Sequence, residues 1–301
     1  MRNPNLKENR LLRACVLPFR GFIKKCFPVT YVKLQYRYIT HHKLNLKHPV
    51  RYTEKLQYLR VYTYPKNPLV SKCASRDGLR EYATELGLKD ALIPCYGVYD
   101  RFEDIPWESL PSAFVLKCTH ACAMNAIINH KEEANYEQLQ KQFHRYLKTN
   151  YGKKTLELHY APIHPRIIVE KRMGELSSLP TEYKLHVFNG KVKSLYVVTG
   201  RGKNIRYTNF YADWTRFDGS QFNGWKSSTE PIEKPKQWDE MVQIAEKLAS
   251  PFPFVRVDLY EIDGKVYIGE MTFTPAKGTL ILDDDQADFE MGKWLEIKEE
   301  K

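Results

Sequence analysis

Acidic residues are scarce at the start of this chain of 301 residues, and long apolar runs are absent from all of it. Residues 1–66 contain 15 Lys or Arg side chains but only two acids, Glu8 and Glu54, whereas the rest of the chain contains 32 basic and 34 acidic side chains. No uncharged stretch approaches the roughly 18 apolar residues of a membrane-spanning helix, which excludes such a helix. The sequence therefore predicts a nearly neutral body with a basic N-terminal region.

Glycine and proline are also few, at 15 and 17 residues, while 43% of the chain is hydrophobic. This composition excludes a collagen-like or low-complexity chain and predicts a globular protein with a buried core. The best signal-peptide candidate, residues 11–27, is interrupted by four basic residues, so we expect it to remain uncleaved. Six cysteines without an export signal then predict reduced thiols and a cytoplasmic location, peripheral to the inner face of the membrane if the basic region binds lipid.

Apolar residues recur at helical spacing within the basic region. They predict an amphipathic helix over residues 11–27 that is interrupted at Pro18 and Pro28. Such a helix suits an anionic membrane surface, and the pattern is equally compatible with a helix that packs on the body. Seven tyrosines between residues 31 and 64 raise the alternative of base stacking in a nucleic-acid complex, but no nucleic-acid-binding motif accompanies them, so we expect no nucleic-acid partner.

Helical and strand patterns alternate beyond residue 66. Helices are predicted over 77–88, 134–149 and 238–249, and strands over 113–117, 126–129 and 166–171. Two hairpins are predicted over 183–198, folded at Asn189-Gly190, and over 254–273. Because hairpins form antiparallel sheets, we predict an α+β fold rather than a doubly wound parallel one.

Two carboxylates, Asp258 and Glu270, lie within the largely apolar strands of the second hairpin. A two-residue turn at Asp263-Gly264 would place them on opposite faces, whereas a three-residue turn with a bulge at Gly264 would place them side by side. The second register separates polar from apolar residues better, and we predict it. It groups Arg256, Asp258, Glu270, Thr272 and Thr274 on one face, and Val255, Val257, Leu259, Tyr267, Met271 and Phe273 on the other.

Neighbouring carboxylates repel each other unless a cation neutralises them. Asp258, Glu270 and the Thr272 hydroxyl are oxygen ligands that suit Mg²⁺, and an ion pair of Arg256 with one acid is the structural alternative. Lys117 precedes a loop of small residues, 119–125, which could approach phosphates closely. The Cys-x-His-x-Cys string at 118–122 matches no common zinc spacing, so we interpret its cysteines as apolar filler.

The order of the motifs is more specific than any single motif. Residues 114–120 (FVLKCTH) are followed by 165–171 (PRIIVEK), 183–190 (YKLHVFNG), 209–211 (NFY), 252–258 (FPFVRVD) and 269–275 (GEMTFTP). Over about residues 50–295 this combination resembles the ATP-grasp fold, in particular its TupA-like branch of teichuronopeptide-biosynthesis proteins, which are found with bacterial surface-polysaccharide genes. The resemblance implies two α+β lobes with antiparallel sheets that enclose a nucleotide, plus a basic helical extension at the N-terminus.

The resemblance also implies a domain organisation and a set of site residues. Residues 1–66 would form the extension and the start of the N-terminal lobe, and 67–301 the ATP-grasp body, with the site at about 113–275. The implied residues are Lys117 and Lys184 at the phosphates; Ala121, Cys122 and Ala123 in the phosphate loop; Glu170, Lys171 and Met173 at the adenine; Glu175 at the ribose; Asp258, Glu270 and Thr272 at Mg²⁺; and Arg256 and Lys184 in catalysis. Similar sequences have a glycine-rich phosphate loop, and they have Asp-Lys where this chain has Ser75-Arg76.

The implied activity is that of an ATP- and Mg²⁺-dependent ligase that joins a carboxylate to an amine through an acyl phosphate. The expected partners are a carboxylate of an acidic polysaccharide or lipid-linked sugar and a small amine or amino acid. Alternatives are a kinase of the same fold that phosphorylates a sugar hydroxyl, and a non-catalytic protein that binds a nucleotide or a polyanion.

Overall fold

The computed structural model describes residues 19–217, 226–282 and 284–297. Its two sheets are both antiparallel, and helices are interspersed with the strands along the chain, which confirms the predicted α+β class. No helix in these ranges is long and apolar enough to cross a membrane. The part of the predicted N-terminal helix before residue 19 lies outside the described residues.

Nine α-helices can be followed through the described ranges. They are α1 (Arg20–Cys26), α2 (Pro28–Thr40), α3 (Tyr52–Tyr58), α4 (Pro68–Ala74), α5 (Arg76–Glu85), α6 (Tyr136–Leu147), α7 (Tyr151–Thr155), α8 (Trp238–Ala249) and α9 (Asp285–Trp294). The predicted helices over 77–88, 134–149 and 238–249 correspond to α5, α6 and α8.

The first two helices differ in how they meet the body. Pro28 opens α2, as predicted, because proline lacks an N–H and is tolerated at the first position of a helix. The buried side of α2 contributes Tyr31, Val32 and Tyr36 to an apolar cluster, whereas α1 buries none of its seven residues.

The first sheet has four strands. They are β1 (Cys95–Tyr99), β2 (Phe114–Cys118), β3 (Asn125–Ile128) and β4 (Ile167–Lys171), in the order β1-β4-β2-β3. One apolar cluster joins β2 and β4 to Phe143 of α6 and to Phe102, which fixes the α6 helix on this sheet. The three strands predicted here are confirmed to within one residue at each end.

A helix covers one face of the second sheet, which has five strands. They are β5 (Glu182–Phe188), β6 (Lys191–Thr199), β7 (Arg206–Tyr211), β8 (Phe254–Ile262) and β9 (Lys265–Thr272), in the order β7-β6-β5-β8-β9. The apolar side of α8, with Met241, Ala245 and Leu248, packs into the same core as this sheet. Strand β5 is buried along its whole length, as expected for a central strand.

The turn of the β8–β9 hairpin differs from the prediction. It is a two-residue turn in which Asp263 and Gly264 have φ angles of 55° and 72°, so the predicted three-residue turn is wrong. Both positive φ values belong to the turn type that Asp-Gly favours.

The extra residue that restores the predicted register lies further along the hairpin, at Gly269. Leu259 pairs with Ile268, but Asp258 pairs with Glu270, so Gly269 forms a bulge. A Cβ atom on Gly269 would lie 2.8 Å from the Tyr260 ring, which explains the glycine. The side-by-side placement of Asp258 and Glu270 is therefore confirmed, although a bulge within β9 produces it rather than a bulge in the turn.

One assignment to the apolar face is wrong for the same reason. Tyr267 pairs with Tyr260, which is two residues from Asp258 along β8 and therefore lies on the same face as Asp258. Because directly paired residues project to the same side, Tyr267 lies on the polar face rather than with Val257.

The C-terminal helix α9 packs against α3. The Asp288 carboxylate accepts hydrogen bonds from the Thr53 backbone at 2.9 Å and from the Thr53 hydroxyl at 2.7 Å, and Lys55 donates to the Gly292 carbonyl at 2.8 Å. Helix α3 is thus joined to helix α9, and the domain boundary at residue 66 stays a prediction.

Candidate active site

The two carboxylates paired by the bulge lie on the polar face of the second sheet. Asp258 is only 2% exposed, while 29% of the Glu270 side chain remains accessible. Burial raises the pKa of Asp258 above its ordinary value, although Arg256 and Lys184 oppose the effect. Burial acts in the same direction on Glu270, but Arg76, Lys184 and Arg256 outweigh it and hold the pKa of that carboxyl well below its usual range. Glu270 is therefore the more open and the more firmly ionised of the two.

Arg256 connects the acids. Its Nε and Nη2 atoms donate to Asp258 at 2.6 and 2.8 Å, and Nη2 also donates to Glu270 at 3.2 Å. The Thr272 hydroxyl accepts from the same Nη2 at 2.9 Å and donates to Glu270 at 3.1 Å, while Nη1 reaches the Tyr196 hydroxyl at 2.9 Å. The ion pair that the sequence left as an alternative is thus present, and it involves both carboxylates.

Lys184 extends the cluster onto β5, where it pairs with Asp258 across the strands. Its ammonium group contacts the Asp258 carboxylate and lies 2.8 Å from Glu182, which Arg201 contacts in turn. Burial would lower the pKa of Lys184, but Asp258 and Glu182 raise it, so the ammonium stays charged. The polar face thus carries charges of alternating sign, each with a partner.

Helix α5 supplies two arginines that sequence reasoning did not assign to the site. Arg76 Nη1 lies 3.1 Å from Glu270 on the second sheet, and Arg80 Nη1 lies 3.6 Å from Glu170 on the first. Residues four apart project from the same side of a helix, so one helix contacts a carboxylate on each sheet. This spacing was visible in the sequence, but the partners lie far from α5 along the chain.

Lys117 and Glu170 form an ion pair on the first sheet. The Lys117 ammonium on β2 lies 2.7 Å from the buried Glu170 carboxylate on β4. Lys171 ends β4 with an exposed side chain, and Met173 and Glu175 follow in a segment where Arg172 donates to the Glu175 carbonyl at 2.9 Å. The structure therefore places the predicted adenine and ribose residues together at the end of β4.

The predicted phosphate loop lies beside Glu270. Ala121 and Cys122 line a small cavity together with Arg76, Tyr160 and Glu270. Ala123 has a φ angle of 59°, in the left-handed region that glycine adopts without strain. The loop thus has a glycine-like backbone at one position without having a glycine there.

The cysteines of this region are neutral thiols. Burial raises the pKa of Cys118 to about 12 and that of Cys122 to about 11, and the Cys122 sulfur lies 3.4 Å from the Tyr160 hydroxyl. Cys118 is completely buried, and among the described residues no group of three or more His, Cys, Asp or Glu side chains is arranged to hold a metal ion, which favours the interpretation of these cysteines as small packing residues.

The oxygen atoms of Asp258, Glu270 and Thr272 are of the kind that Mg²⁺ takes, and the partial exposure of Glu270 leaves that carboxylate accessible. Both carboxylates already contact cations: Arg256 and Lys184 at Asp258, and Arg76 and Arg256 at Glu270. A metal ion would fit if these Arg and Lys side chains moved from the carboxylates to other anions, and the phosphates of a nucleotide would be such anions. The donor set would therefore suit a hard cation that lies beside phosphates.

Two antiparallel sheets, each with a carboxylate contacted by an arginine of α5, are compatible with an ATP-grasp protein. The chain belongs to the TupA-like ATP-grasp family, whose model matches residues 54–296. This confirms the resemblance seen in the order of the sequence motifs.

Solved structures similar to this chain include several ligases. D-alanine–D-alanine ligase from Bacillus anthracis in complex with ATP has 14% identity and a TM-score of 0.39, with 68% of this chain and 55% of that chain covered. L-amino acid ligase from Bacillus licheniformis has 12% identity and a TM-score of 0.43, with 70% and 43% covered. The ADP complex of purK, N5-carboxyaminoimidazole ribonucleotide synthetase, has 15% identity and a TM-score of 0.44, with 79% and 55% covered.

The chain spans little more than half the length of the D-alanine–D-alanine ligase and purK structures. No curated protein sequence matches it. The family assignment accordingly rests on the family model.

Proposed function

We propose that this protein is an ATP-dependent carboxylate–amine ligase. The observation that carries the proposal is the charge cluster on the polar face of the second sheet, where Asp258 and Glu270 lie side by side among Arg76, Lys184 and Arg256. Such a cluster combines carboxylates that could hold a hard cation with cationic side chains that could neutralise phosphates, and phosphoryl transfer requires both.

The proposed reaction has two steps. A carboxylate oxygen of the first substrate attacks the γ-phosphorus of ATP, the bond to the β–γ bridging oxygen breaks, and ADP leaves. The nitrogen of the amine then attacks the carbonyl carbon of the acyl phosphate, inorganic phosphate leaves, and the nitrogen loses a proton. The products are an amide, ADP and phosphate.

The residues of the chain take distinct roles in this scheme. Lys117 and Lys184 neutralise phosphate charge, and Arg256 holds the transferred phosphoryl group as negative charge develops on it. Backbone groups of residues 170–173 bind the adenine, Glu175 binds the ribose, and residues 121–123 cover the phosphates. Asp258, Glu270 and Thr272 would hold Mg²⁺, which neutralises negative charge on the phosphates.

The proposed carboxylate belongs to an acidic polysaccharide or a lipid-linked sugar precursor, and the proposed amine is a small amine or amino acid. Support for an acidic substrate comes from the basic N-terminal region, which carries 15 Lys or Arg side chains and two acids over residues 1–66. A positive region raises the local concentration of an anionic substrate near the site.

ADP release tests the reaction. Purified protein with ATP and Mg²⁺ is supplied with uronic acids and amino acids in pairs, and ADP is measured by a coupled assay alongside ATP binding by calorimetry. We expect ADP release only when both an acid and an amine are present, with a product whose mass shows loss of water. A phosphoester product would replace the ligase by a kinase, and ATP binding without ADP release for any pair would remove the catalytic claim.

A second candidate function is nucleotide binding without turnover. It is favoured by the phosphate loop, in which Ala123 occupies a left-handed conformation, and by the ion pairs that engage both Asp258 and Glu270. Under this alternative, ATP binds with the same affinity in the presence and absence of Mg²⁺, because the carboxylates stay with their arginines.

A further inference from the structure

We propose that α1 and the start of α2 form a docking surface for an anionic lipid membrane. The apolar part of this surface consists of Phe19, Phe22, Phe27 and Leu34, whose side chains are 63%, 61%, 55% and 45% exposed. Four of the nine large exposed apolar residues in the described ranges thus fall within 16 consecutive positions. Such a concentration marks an interaction surface rather than scattered surface residues.

The charge around these rings has one sign. Residues 19–53 contain eight Lys or Arg side chains and no Asp or Glu. Within α1, Arg20, Lys24 and Lys25 alternate with the exposed phenylalanines. Aromatic rings among cations match the interface of a bilayer that contains anionic lipids, where rings enter the headgroup region and cations contact the phosphates.

The surface is held on the body by specific contacts. The Lys24 ammonium contacts the Lys154 carbonyl in α7, and Arg20 Nε donates to the Tyr31 hydroxyl on α2 at 2.9 Å. The rings of Phe22 and Phe27 pack edge to face at 6.2 Å between centroids. Helix α1 therefore has a defined position although none of its residues is buried.

This position is close to the candidate active site. Buried Arg60 donates to the Thr155 carbonyl at 2.6 Å and to the Lys277 carbonyl at 2.9 Å, which ties α7 to the loop that follows β9. Because Lys24 contacts α7, the same loop lies near α1, and Lys277 is a charged neighbour of Lys24. A membrane bound at α1 would therefore lie near the segment that continues from Glu270 and Thr272.

The composition of the surface favours a bilayer over the other occupants. A double-stranded nucleic acid or a soluble polysaccharide would bind mainly through the cations, and its binding would not require the four apolar side chains to insert. A second copy in a symmetric dimer would place the same acid-free surface against itself, so that like charges would face one another. A lipid surface uses the rings, Leu34 and the cations together, whereas the bases of a single-stranded nucleic acid would stack on the rings without using Leu34.

Vesicle co-sedimentation of the full chain tests the proposal. The probes are vesicles of phosphatidylcholine alone and of an equal mixture of phosphatidylcholine and phosphatidylglycerol. The test variant is Phe19→Ser/Phe22→Ser/Phe27→Ser, and the matched control is Tyr96→Ser/Ile127→Ser/Leu176→Ser, which removes three exposed apolar side chains elsewhere. Because the replaced residues are exposed, both variants should keep the unfolding midpoint of the unmodified protein.

The expected result is binding to the mixed vesicles alone, with a partition coefficient that falls at least about tenfold in the phenylalanine variant and stays unchanged in the control. Lys25→Ala should lower the coefficient by about fivefold. Unaltered binding by the phenylalanine variant would overturn the proposal, as would equal binding to both kinds of vesicle. So would a dimer in solution that only the phenylalanine variant disrupts, or binding to heparin or RNA with no binding to vesicles.

Discussion

Charge is arranged in opposite ways on the polar face of the second sheet and on the N-terminal helices. On the sheet, Arg256 and Lys184 are buried beside Asp258 and Glu270, the partly buried Arg76 reaches Glu270 from α5, and each carboxylate contacts cations. In the N-terminal region, residues 19–53 contain eight Lys or Arg side chains and no acid; five of the eight lie in α1 and α2, and those of α1 are solvent-accessible. The first arrangement pairs its charges within the fold, whereas the second leaves charges of one sign exposed to solvent.

The difference predicts how each region responds to substitution. Removing one member of a buried, compensated cluster leaves its partners charged and unpaired, so folding and binding are both affected. Removing an exposed cation changes binding and leaves stability within about 0.5 kcal/mol. Substitutions in the sheet cluster should therefore have the larger effects.

The largest effect is expected for Asp258→Ala. This substitution leaves Arg256 and Lys184 buried without their shared carboxylate, and we expect the free energy of unfolding to fall by about 3–5 kcal/mol. Urea unfolding followed by circular dichroism measures the change. Glu233→Ala, which removes an exposed carboxylate, is the control and should stay within about 0.5 kcal/mol of the unmodified protein. Equal stability of the two variants would mean that the cluster is not compensated as described.

Arg76→Ala is expected to weaken nucleotide binding. It removes the guanidinium that links α5 to Glu270, and a charged hydrogen bond of this kind contributes about 1.5–3 kcal/mol. We expect the Kd for ATP with Mg²⁺ to rise about tenfold, and Arg76→Lys to restore part of the affinity because it keeps the charge. Calorimetry measures both variants, with Arg101→Ala as a control on an exposed arginine. If Arg76→Ala bound ATP as tightly as the control, Arg76 would have no role at the site.

The buried His159 is a third kind of titratable group, a base that the folded protein keeps neutral. Burial, aided by Arg60, lowers its pKa to about 3, and neither ring nitrogen has a hydrogen-bond partner among the described residues. Between pH 6.5 and 3 the unfolded chain binds a proton at this histidine and the folded protein does not, so stability falls as pH decreases through this window.

His159→Phe should remove this part of the pH dependence. The slope of the unfolding free energy against pH should become shallower by up to about 1.4 kcal/mol per pH unit below the ordinary histidine pKa. Urea titrations at several pH values measure the slope, and a measurement at neutral pH shows whether phenylalanine fits among Tyr64, Tyr160 and Phe273. An unchanged slope would show that His159 titrates normally in the folded protein.

Ala123→Gly should give the smallest effect and one of opposite sign. A left-handed conformation costs a non-glycine residue about 1–2 kcal/mol, part of which is offset by the flexibility of glycine when unfolded. We expect the variant to be more stable by about 0.5–1 kcal/mol. The same change at Ala126, in strand β3, should destabilise by a similar amount and serves as the control. Stabilisation at both positions would argue against strain at Ala123.

Local sequence patterns were sufficient to predict most of the helices and strands, and they predicted one hairpin in detail. The turn at Asn189-Gly190 and the helix Trp238–Ala249 follow from short-range signals, namely a turn dipeptide and a helical apolar stripe. In the second hairpin, the alternation of polar and apolar residues predicted that Asp258 pairs with Glu270, but it did not predict the bulge at Gly269 that produces this pairing. One extra residue anywhere between the turn and the Asp258–Glu270 pair would place these two carboxylates on the same face. The position of the bulge at Gly269 depends on the close approach of this glycine to Tyr260.

The cations around the carboxylates were harder to predict. Arg256 is two residues from Asp258, and the sequence left its ion pair with one of the two acids open as an alternative, whereas Arg76 reaches Glu270 from a helix 194 residues away in the sequence. Arg201 and Glu182 extend the cluster at one end, and nothing in their local sequence indicates it. Ion pairs between distant elements depend on how those elements pack, which a single sequence does not encode in a local pattern.

A crystal structure with ADP and Mn²⁺ tests the nucleotide–metal site most directly, because the anomalous signal of manganese locates the metal independently of the model of the protein. We predict manganese in contact with Asp258 and Glu270, phosphates beside Lys117, Lys184 and residues 119–124, and adenine at the end of β4. Manganese bound away from both carboxylates, or a nucleotide outside the space between the two sheets, would contradict the assignment of this cluster as the active site.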